Sequence, residues 1–596
     1  MSEQSRSDRR WWVRHRRSLL VSGAALLLLL GFAAWLGVTA QRGQSALIAA
    51  RSHLEQARAA LMSGDGAAAQ REVDLASDAA SDARSATSTM PWDITAAVPY
   101  LGRPFRTTQD LAEAVDDLAV RVLQPAARAG TALAPEKVRT SGEQIDLAAL
   151  MVARAPLGEA SSAASALDDR VRAIAPSGYL TAVEDARRAL QTEVSELADL
   201  LTTASTAATL LPPMLGADGP RTYFLAFQTN AEARGTGGLI GGYGILTADQ
   251  GRLSLDTISN NRDLEPGAPP GIDLGPDYAK QYAGYSSTTL WLNANSSPHF
   301  PYAARIWSSL WEQQGGQRLD GVIGIDPVAL SYILRATGPV ELPDGEAIDT
   351  DNVVPVTESE AYFRFEGDDT ARKNYLQSIA QAVADKILDG DGGSTAALLK
   401  ALRTATDEAR LAVWSAVPEE QDVLAGTTLG HVVAETTGPY ASVVVNNGAG
   451  SKLDYYLGRT LTYAAGDCSA PARQSLATLD LRNGAPLEPL PDYVAGRRDR
   501  NLTGPPNTNR LLVSLYATNG AELSGVTVDG LPTTARIGAE RGHPVFTVTL
   551  LIPPGATQRL VFDLVEPSTP RRPAVPVQPL AEPMGVTIAV PDCFES

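Results

Sequence analysis

The chain has 596 residues, 44% of them hydrophobic and 20% charged, with a formal net charge of −18 at pH 7. That length exceeds a single hydrophobic core and predicts several domains, and so acidic a chain lacks the basic face that a nucleic-acid partner requires. Five scattered histidines without ligand spacing argue against zinc, and two cysteines argue against a disulfide-dense scaffold.

In chain order, residues 1–17 are rich in arginine, with Arg6, Arg9, Arg10, Arg14, Arg16 and Arg17 against Glu3 and Asp8. The run 18–40, SLLVSGAALLLLLGFAAWLGVTA, is uncharged and long enough to span a bilayer as a helix. The arginines before it predict a cytoplasmic basic tail and an uncleaved signal anchor. A cleaved signal peptide is the alternative, but the run exceeds the usual apolar core of ~7–15 residues. This reading makes the protein a single-pass protein of the cell membrane with nearly all of its chain extracytoplasmic. From 41 to 212 apolar positions recur at helical spacing: Leu47, Leu54 and Leu61; Leu111, Val115, Leu118 and Val122; Leu190, Val194, Leu197 and Leu201. They predict an extracytoplasmic helical bundle or stalk, broken at Gly64–Gly66 and at PWDITAAVPYLGRPF, 91–105.

Pro212, Pro213 and Pro220 introduce a mixed pattern over 213–437. Strand-like runs at 251–258 and 321–326 alternate with helix-like runs at 301–314, 327–338 and 371–388, predicting an α/β core whose sheet is covered by helices. From 438 to 596 short apolar strands separated by Gly, Pro and Asn predict an antiparallel β-sandwich. Cys468 and Cys593 predict one disulfide tying the tail to that domain. The fold class is therefore multidomain α+β.

The stretch 222–249, TYFLAFQTNAEARGTGGLIGGYGILTAD, reads as strand, polar turn, glycine run and strand. Its glycines serve either a plain hairpin or, with Glu232 and Arg234 beside bare backbone, an anion seat. Arg262 and Asp263 end a strand-like run, and Asp326 is placed to cap a helix. In YFRFEGDDTARKNYLQ, Arg364, Asp368, Asp369, Arg372, Lys373 and Gln377 gather at a loop-to-helix junction. Arginines from three segments either pair with local acids or converge on a phosphate, which suits the guanidinium fork. There is no Walker loop, GxSxG elbow or HExxH motif.

Four blocks resemble the family called domain of unknown function 4012: NAEARGTGGLIGGYGILTADQGRL, LWLNANSSPHFPYAARIW, LDGVIGIDPVALSYILRATGPVELPDG and FEGDDTARKNYLQSIAQAVADKIL. NNGAGSKLDYYLGR and PDYVAG extend the likeness to about residues 90–570. The order of features is also distantly similar to the LytR–CpsA–Psr phosphotransferases, which move glycopolymers from a polyprenyl-pyrophosphate lipid to the bacterial cell wall. That resemblance implies Arg262, Asp263 and Arg372 as catalytic residues, Arg234, Arg364 and Gln377 as pyrophosphate ligands, and Asp369 as a magnesium ligand. Thr236 and Tyr375 stand where the distant family has an acid and an arginine. The expected function is cell-envelope or surface-polysaccharide biogenesis, with a polyprenyl-phosphate glycolipid or cell-wall glycan as partner. The alternative is a non-catalytic binding or scaffold protein of the same fold.

Overall fold

A computed structural model describes residues 4–62, 65–133, 144–388, 395–497, 503–591 and 593, with backbone alone at 4–29, 61–62, 257, 283 and 395–396. The chain divides between Asp218 and Gly219 into two compact units. The first is helical. Helix α1 (Gln4–Met62) pairs with α2 (Gly66–Thr87), whose first turn is capped by the Asp65 carboxylate on the amide of Ala68 at 2.8 Å. Their seam is built from small residues, Gly43, Ala50 and Ala57 against Ala69, Val73, Ala76 and Ala80. Heptad spacing is kept, but three residues on from the half-buried Leu47 and Leu54, because alanines allow a closer approach than leucines. Leu111, Leu118, Val122, Leu190, Val194 and Leu201 do face a shared core, as their spacing predicts.

The transmembrane helix expected over 18–40 is not found. Among the described residues no helix is long and apolar enough to cross a membrane. Side chains 18–29 of the run lie outside the described residues, and the remaining 30–40 supply only about half of the ~20 residues a span requires. The run also continues without a break into the charged part of α1, and its end already belongs to the bundle. Thr39 is buried there and accepts the indole N–H of Trp92 at 3.0 Å.

The second unit begins with a five-stranded sheet: β1 (Arg221–Arg234), β2 (Gly237–Asp249), β3 (Arg252–Asn260), β4 (Gly321–Ile325) and β7 (Leu411–Ser415) in the order β3-β2-β1-β4-β7. Only β1 and β4 are parallel; the rest pair antiparallel. β5 (Val340–Glu341) and β6 (Ala347–Ile348) form a separate small hairpin. Phe224, Trp291, Phe300 and Trp307 pack one face of the main sheet beneath the helix Phe300–Gln313. Leu330, Ile333, Ile379 and Val383, from the helices Pro327–Thr337 and Asp369–Leu388, pack the other.

Two further sheets form a sandwich. One orders β13 (Leu531–Pro532), β12 (Glu522–Val528), β16 (Thr557–Pro567), β10 (Ala472–Asn483), β9 (Leu457–Ala465) and β17 (Met584–Ala589). The other orders β14 (Arg536–Glu540), β15 (His543–Ile552), β11 (Asn509–Ala517) and β8 (Ala441–Asn447). Leu479, Leu481, Val513, Phe546 and Phe562 fill the space between them, from strands whose side chains alternate inward and outward. The last strand, β17, runs parallel to β9, and Cys593 just beyond it is disulfide-bonded to Cys468.

The segment before β17 straps the sandwich to the first sheet. Gln578 donates to the carbonyls of both Val445 and Arg234, and Asn230 donates to the carbonyl of Pro579. The sandwich also encloses an ion pair. Glu566 is fully buried and accepts from Arg473 at 3.1 Å and from the hydroxyls of Tyr463 and Thr518 at 2.7 Å each. Removing one partner of such a pair strands the other charge, so Glu566→Ala is expected to cost about 3–5 kcal/mol in urea unfolding. The exposed pair Arg559–Asp480 should lose under about 1 kcal/mol in Asp480→Ala.

Candidate functional site

The β1–β2 pairing follows a regular register from Arg221 to Phe227 and is then broken: Thr229 faces Leu239, whereas Ala233 already faces Gly238. Asn230, Ala231 and Glu232 therefore have no partner on β2. Buried amides cannot be left open. Two buried carboxylates supply acceptors along the break. Glu358 takes the amides of Asn230 and Ala231 and the hydroxyl of Thr229, and Asp454 takes the amide of Ala233 at 2.8 Å. Glu358 sits in a π-helical turn, Val356–Glu360, whose irregular winding aims it at the bulge. Burial, working against those three hydrogen bonds, raises the Glu358 carboxyl to about 7.

The hairpin glycines divide their work. A Cβ on Gly235 would come within 2.4 Å of Ser296 O, and one on Gly238 within 2.2 Å of Thr229 O, so both close the hairpin tightly against its surroundings. Gly241 and Gly242 instead present bare backbone to a cavity of about 120 Å³. This cavity lies beyond the carboxyl end of β4 in its parallel pairing with β1, a position where α/β sheets commonly hold ligands. Its depth is apolar, with Phe227, Leu239, Ile258, Ile325, Leu330 and Ile379.

Three cations line the same cavity: Arg372, Lys373 and Lys452. Arg372 is 2% exposed, with its guanidinium 3.7 Å from the ring centre of Tyr493 and 5.3 Å from that of Tyr362. The two tyrosines stack on each other at 5.6 Å and fix the plane of the guanidinium. Its Nη2 lies 2.7 Å from Asp369 Oδ1 but off the hydrogen-bonding direction. Lys452 is buried and bonded to Glu232 at 2.5 Å. Burial opposes its charge, yet Glu232 outweighs that cost and the net shift is upward. Lys373 differs. Its ammonium donates to the neutral Asn261 Oδ1 at 2.5 Å, and no carboxylate lies within ion-pair distance among the described residues. Burial first, then Arg372, Arg262 and Lys452, bring Lys373 down to about 8.

The expected site residues separate into two groups. Arg372 and Gln377 line this cavity, and Gln377 donates to the carbonyl of Ile258 there. Arg262 and Asp369 do not line it but are tied to it, Arg262 bonding Asp369 at 2.6 Å and Asp369 lying 2.7 Å from Arg372. Burial pushes the Asp369 carboxyl up, but its two arginines, Arg372 and Arg262, outweigh that and leave it below the usual range. Among the described residues no cluster of three metal-ligating side chains occurs. Arg234 points away from this cavity, bonded to Glu232, Leu292 O and Ala233 O, and lines a different cleft. Arg364 pairs with Glu346 outside it, and Asp263 is exposed. The four arginines do not face one pocket.

The two departures from the distant family have structural roles of their own. Thr236 bonds Gln228 and Asn295 within the hairpin, and Tyr375 bonds Glu346 beside Arg364. Asp326 caps the helix Pro327–Thr337 through the amide of Ala329 at 2.8 Å, as its position predicts. The sequence places Lys373 in the polar group at the helix start without giving it a role, and does not single out Lys452, Glu358 or Tyr493. Lys452 and Tyr493 lie in two of the quoted blocks, NNGAGSKLDYYLGR and PDYVAG, which was the available signal.

The cavity thus brings three cations together against a largely apolar lining on an α+β scaffold. Residues 218–362 match the family model described as Protein of unknown function (DUF4012). That stretch carries the bulged hairpin and Glu358, while the three cations come from outside it. No curated protein matches the chain, and no solved structure matches it.

The elevated carboxyl predicts a pH dependence. Glu358 binds a proton more tightly folded than at its ordinary value of 4.5. Its contribution to stability is therefore complete below about pH 4.5 and lost as pH rises through about 7, up to about 3 kcal/mol. Urea melts of the protein and of Glu358→Gln from pH 4 to 8 should differ by that slope. Parallel curves would place Glu358 outside the effect.

Proposed function

We propose that the protein is an extracytoplasmic envelope component that binds, without transferring, the phosphate of an isoprenoid-linked glycolipid or similar amphiphile. The observation carrying this reading is Lys373, a half-buried ammonium whose hydrogen-bond partner among the described residues is an amide oxygen, beside Arg372 and Lys452 in a largely apolar cavity. A phosphate supplies the missing counter-charge, and guanidinium and ammonium donors match its oxygens. The apolar depth suits the chain that a lipid phosphate carries. The Cys468–Cys593 disulfide favours an oxidising compartment.

Binding is preferred to transfer because the residues that the transferase resemblance required do not assemble. Arg234 and Arg364 stand apart from Arg372, and Asp369 is occupied by two arginines. Electrostatic stabilisation of a leaving phosphate needs donors aimed at one point, and here half of the nominated arginines aim elsewhere.

Calorimetry of the whole chain with geranyl pyrophosphate and with inorganic pyrophosphate checks the reading. The prenylated compound should bind more tightly, and Lys373→Met should weaken both by about tenfold or more. Equal affinity for wild type and Lys373→Met would end the proposal, and consumption of geranyl pyrophosphate on incubation would end its non-catalytic part.

Sulfate, which does not titrate near neutrality, isolates the pH term. With Lys373 deprotonating at about 8 in the free protein, sulfate affinity should fall above that pH, by up to about tenfold per unit. Lys373→Met should flatten the profile.

A further inference from the structure

Two loops meet at one end of the helical unit. The chain leaves α2 and returns through the short helix Met90–Ala96 into the helix Arg103–Asp117. Residues 173–180 join the helices Leu147–Arg172 and Thr181–Met214. Three hydrogen bonds gather these loops beside α1. Trp92 Nε1 donates to Thr39, Thr107 Oγ1 to Ala175 O at 3.1 Å, and the Tyr179 hydroxyl to Leu101 O at 2.7 Å. Gly102 lets the return close tightly, since a Cβ there would sit 2.3 Å from Ala96 O. Toward its start α1 continues past this end, uncharged from 30 to 41, with Leu30, Trp35 and Val38 exposed.

This end is apolar where it meets solvent. The inner face of the helix Met90–Ala96 is already filled by Trp92, whose ring meets Phe105 at 5.2 Å, yet the outer face presents Met90 and Ile94. A helix apolar on both faces is suited to burial rather than to water. Residues 97–101, AVPYL, are exposed throughout, and the exposed Tyr179 and Leu180 adjoin them. Exposed apolar runs of this kind mark contact with something other than water. Tyr100 adopts φ 63°, a left-handed conformation that glycine takes freely and tyrosine does not. Its side chain is nonetheless 78% exposed, more than any other large hydrophobic among the described residues. The loop also satisfies its own backbone. The amides of Ala97, Val98, Leu101 and Gly102 bond carbonyls within 93–99, and Pro99 has none to offer.

We propose that this end of the helical unit is a lipid-contact surface that seats Met90, Ile94, Tyr100, Leu101, Tyr179 and Leu180 in the headgroup region of a bilayer. An apolar environment accepts the loop because its amides are bonded internally. Tyrosine and tryptophan rings suit such an interface, with an apolar body and a polar tip. Charge agrees with this occupant. In a chain of net charge −18, segments 88–106 and 173–183 hold Arg103 and Arg106 against Asp93 alone. Asp93 is turned to Gln109 at 2.9 Å, and Arg106 acts on Asp110 a turn higher. Arg103, whose guanidinium lies 5.7 Å from the Tyr100 ring centre, is placed to meet an anionic headgroup. The uncharged segment of α1 leaves the unit at the same end and extends the apolar surface. The contact requires no spanning helix. It does not rest on the reading of the lysine-lined cavity, which belongs to the other unit.

A single environment-sensitive NBD label on the whole chain tests the assignment, introduced through Ile94→Cys, Leu101→Cys or Val152→Cys with the native disulfide left oxidised. Val152 is at least as exposed as Leu101 but stands roughly 30 Å up the helix Leu147–Arg172. Vesicles of phosphatidylcholine and phosphatidylglycerol, with acyl chains brominated near the headgroup, should quench the labels at positions 94 and 101 by about half or more. The label at position 152 should keep its brightness. Tyr100→Asp combined with Leu101→Asp should restore most of the brightness at position 94, with the melting temperature unchanged. Unquenched labels at 94 and 101, equal quenching at 152, or undiminished quenching in the folded double variant would each overturn the proposal. So would a blue shift already present without lipid, which a second copy of the chain covering this surface would give.

Discussion

The interruption of β1 between Thr229 and Ala233 is the constraint on which the second unit depends. A central strand that loses its neighbour inside a protein must find acceptors for its freed amides, since each unpaired buried group costs about 1–3 kcal/mol. Glu358 and Asp454 meet that demand from opposite sides of the fold, one from the π-helical turn and one from the start of the sandwich. Asp454 is itself fixed by Asn447 and Asn509. The bulge therefore joins the α/β sheet to the sandwich, and the 578–580 strap reinforces the junction. Two regions that read as separate domains share one polar seam.

The same irregularity explains why cations are buried beside it. Glu232 falls within the bulge and carries both Arg234 and Lys452. The shared carboxylate offsets one of the two positive charges, which makes burial tolerable without making it favourable. Arg372 is accommodated differently, with its guanidinium flat on Tyr493 and its charge met at the edge by Asp369. Lys373 is the remainder. It shares the enclosure with two other cations and has only the Asn261 amide, so the cavity retains net positive potential. Exposed pairs such as Arg364–Glu346 create no comparable imbalance, because water screens them.

The parts of this arrangement that could be read in advance are those governed by local rules. Asp326 precedes proline at a helix start, and its cap is formed as such a position dictates. The clusters at Leu111–Val122 and Leu190–Leu201 obey helical periodicity, and the short apolar runs beyond residue 438 are the strands of the sandwich. Arg262, Asp369, Arg372 and Gln377 meet because β3 ends beside the helix that begins at Asp369. Arg234 and Arg364 were grouped with them by residue type and by a distant family resemblance. Residue type does not state a direction, and a bulge or a nearby glutamate turns each of them elsewhere. The run 18–40 illustrates the same limit, since apolar length alone does not show where a helix joins its bundle.

Composition and periodicity determined that this is a chain of several regions, helical first, then mixed, then β-rich, with an arginine-bearing loop at the start of one helix and a cysteine pair at its end. These follow from interactions within a few residues, which the chain carries wherever it goes. Which cations share an enclosure was decided only by the tertiary structure. Lys452 and Tyr493 are distant in sequence from Arg372 and reach it through the seam that the interrupted strand creates. Such sites depend on long-range pairing of backbone and buried charge, to which local pattern is blind.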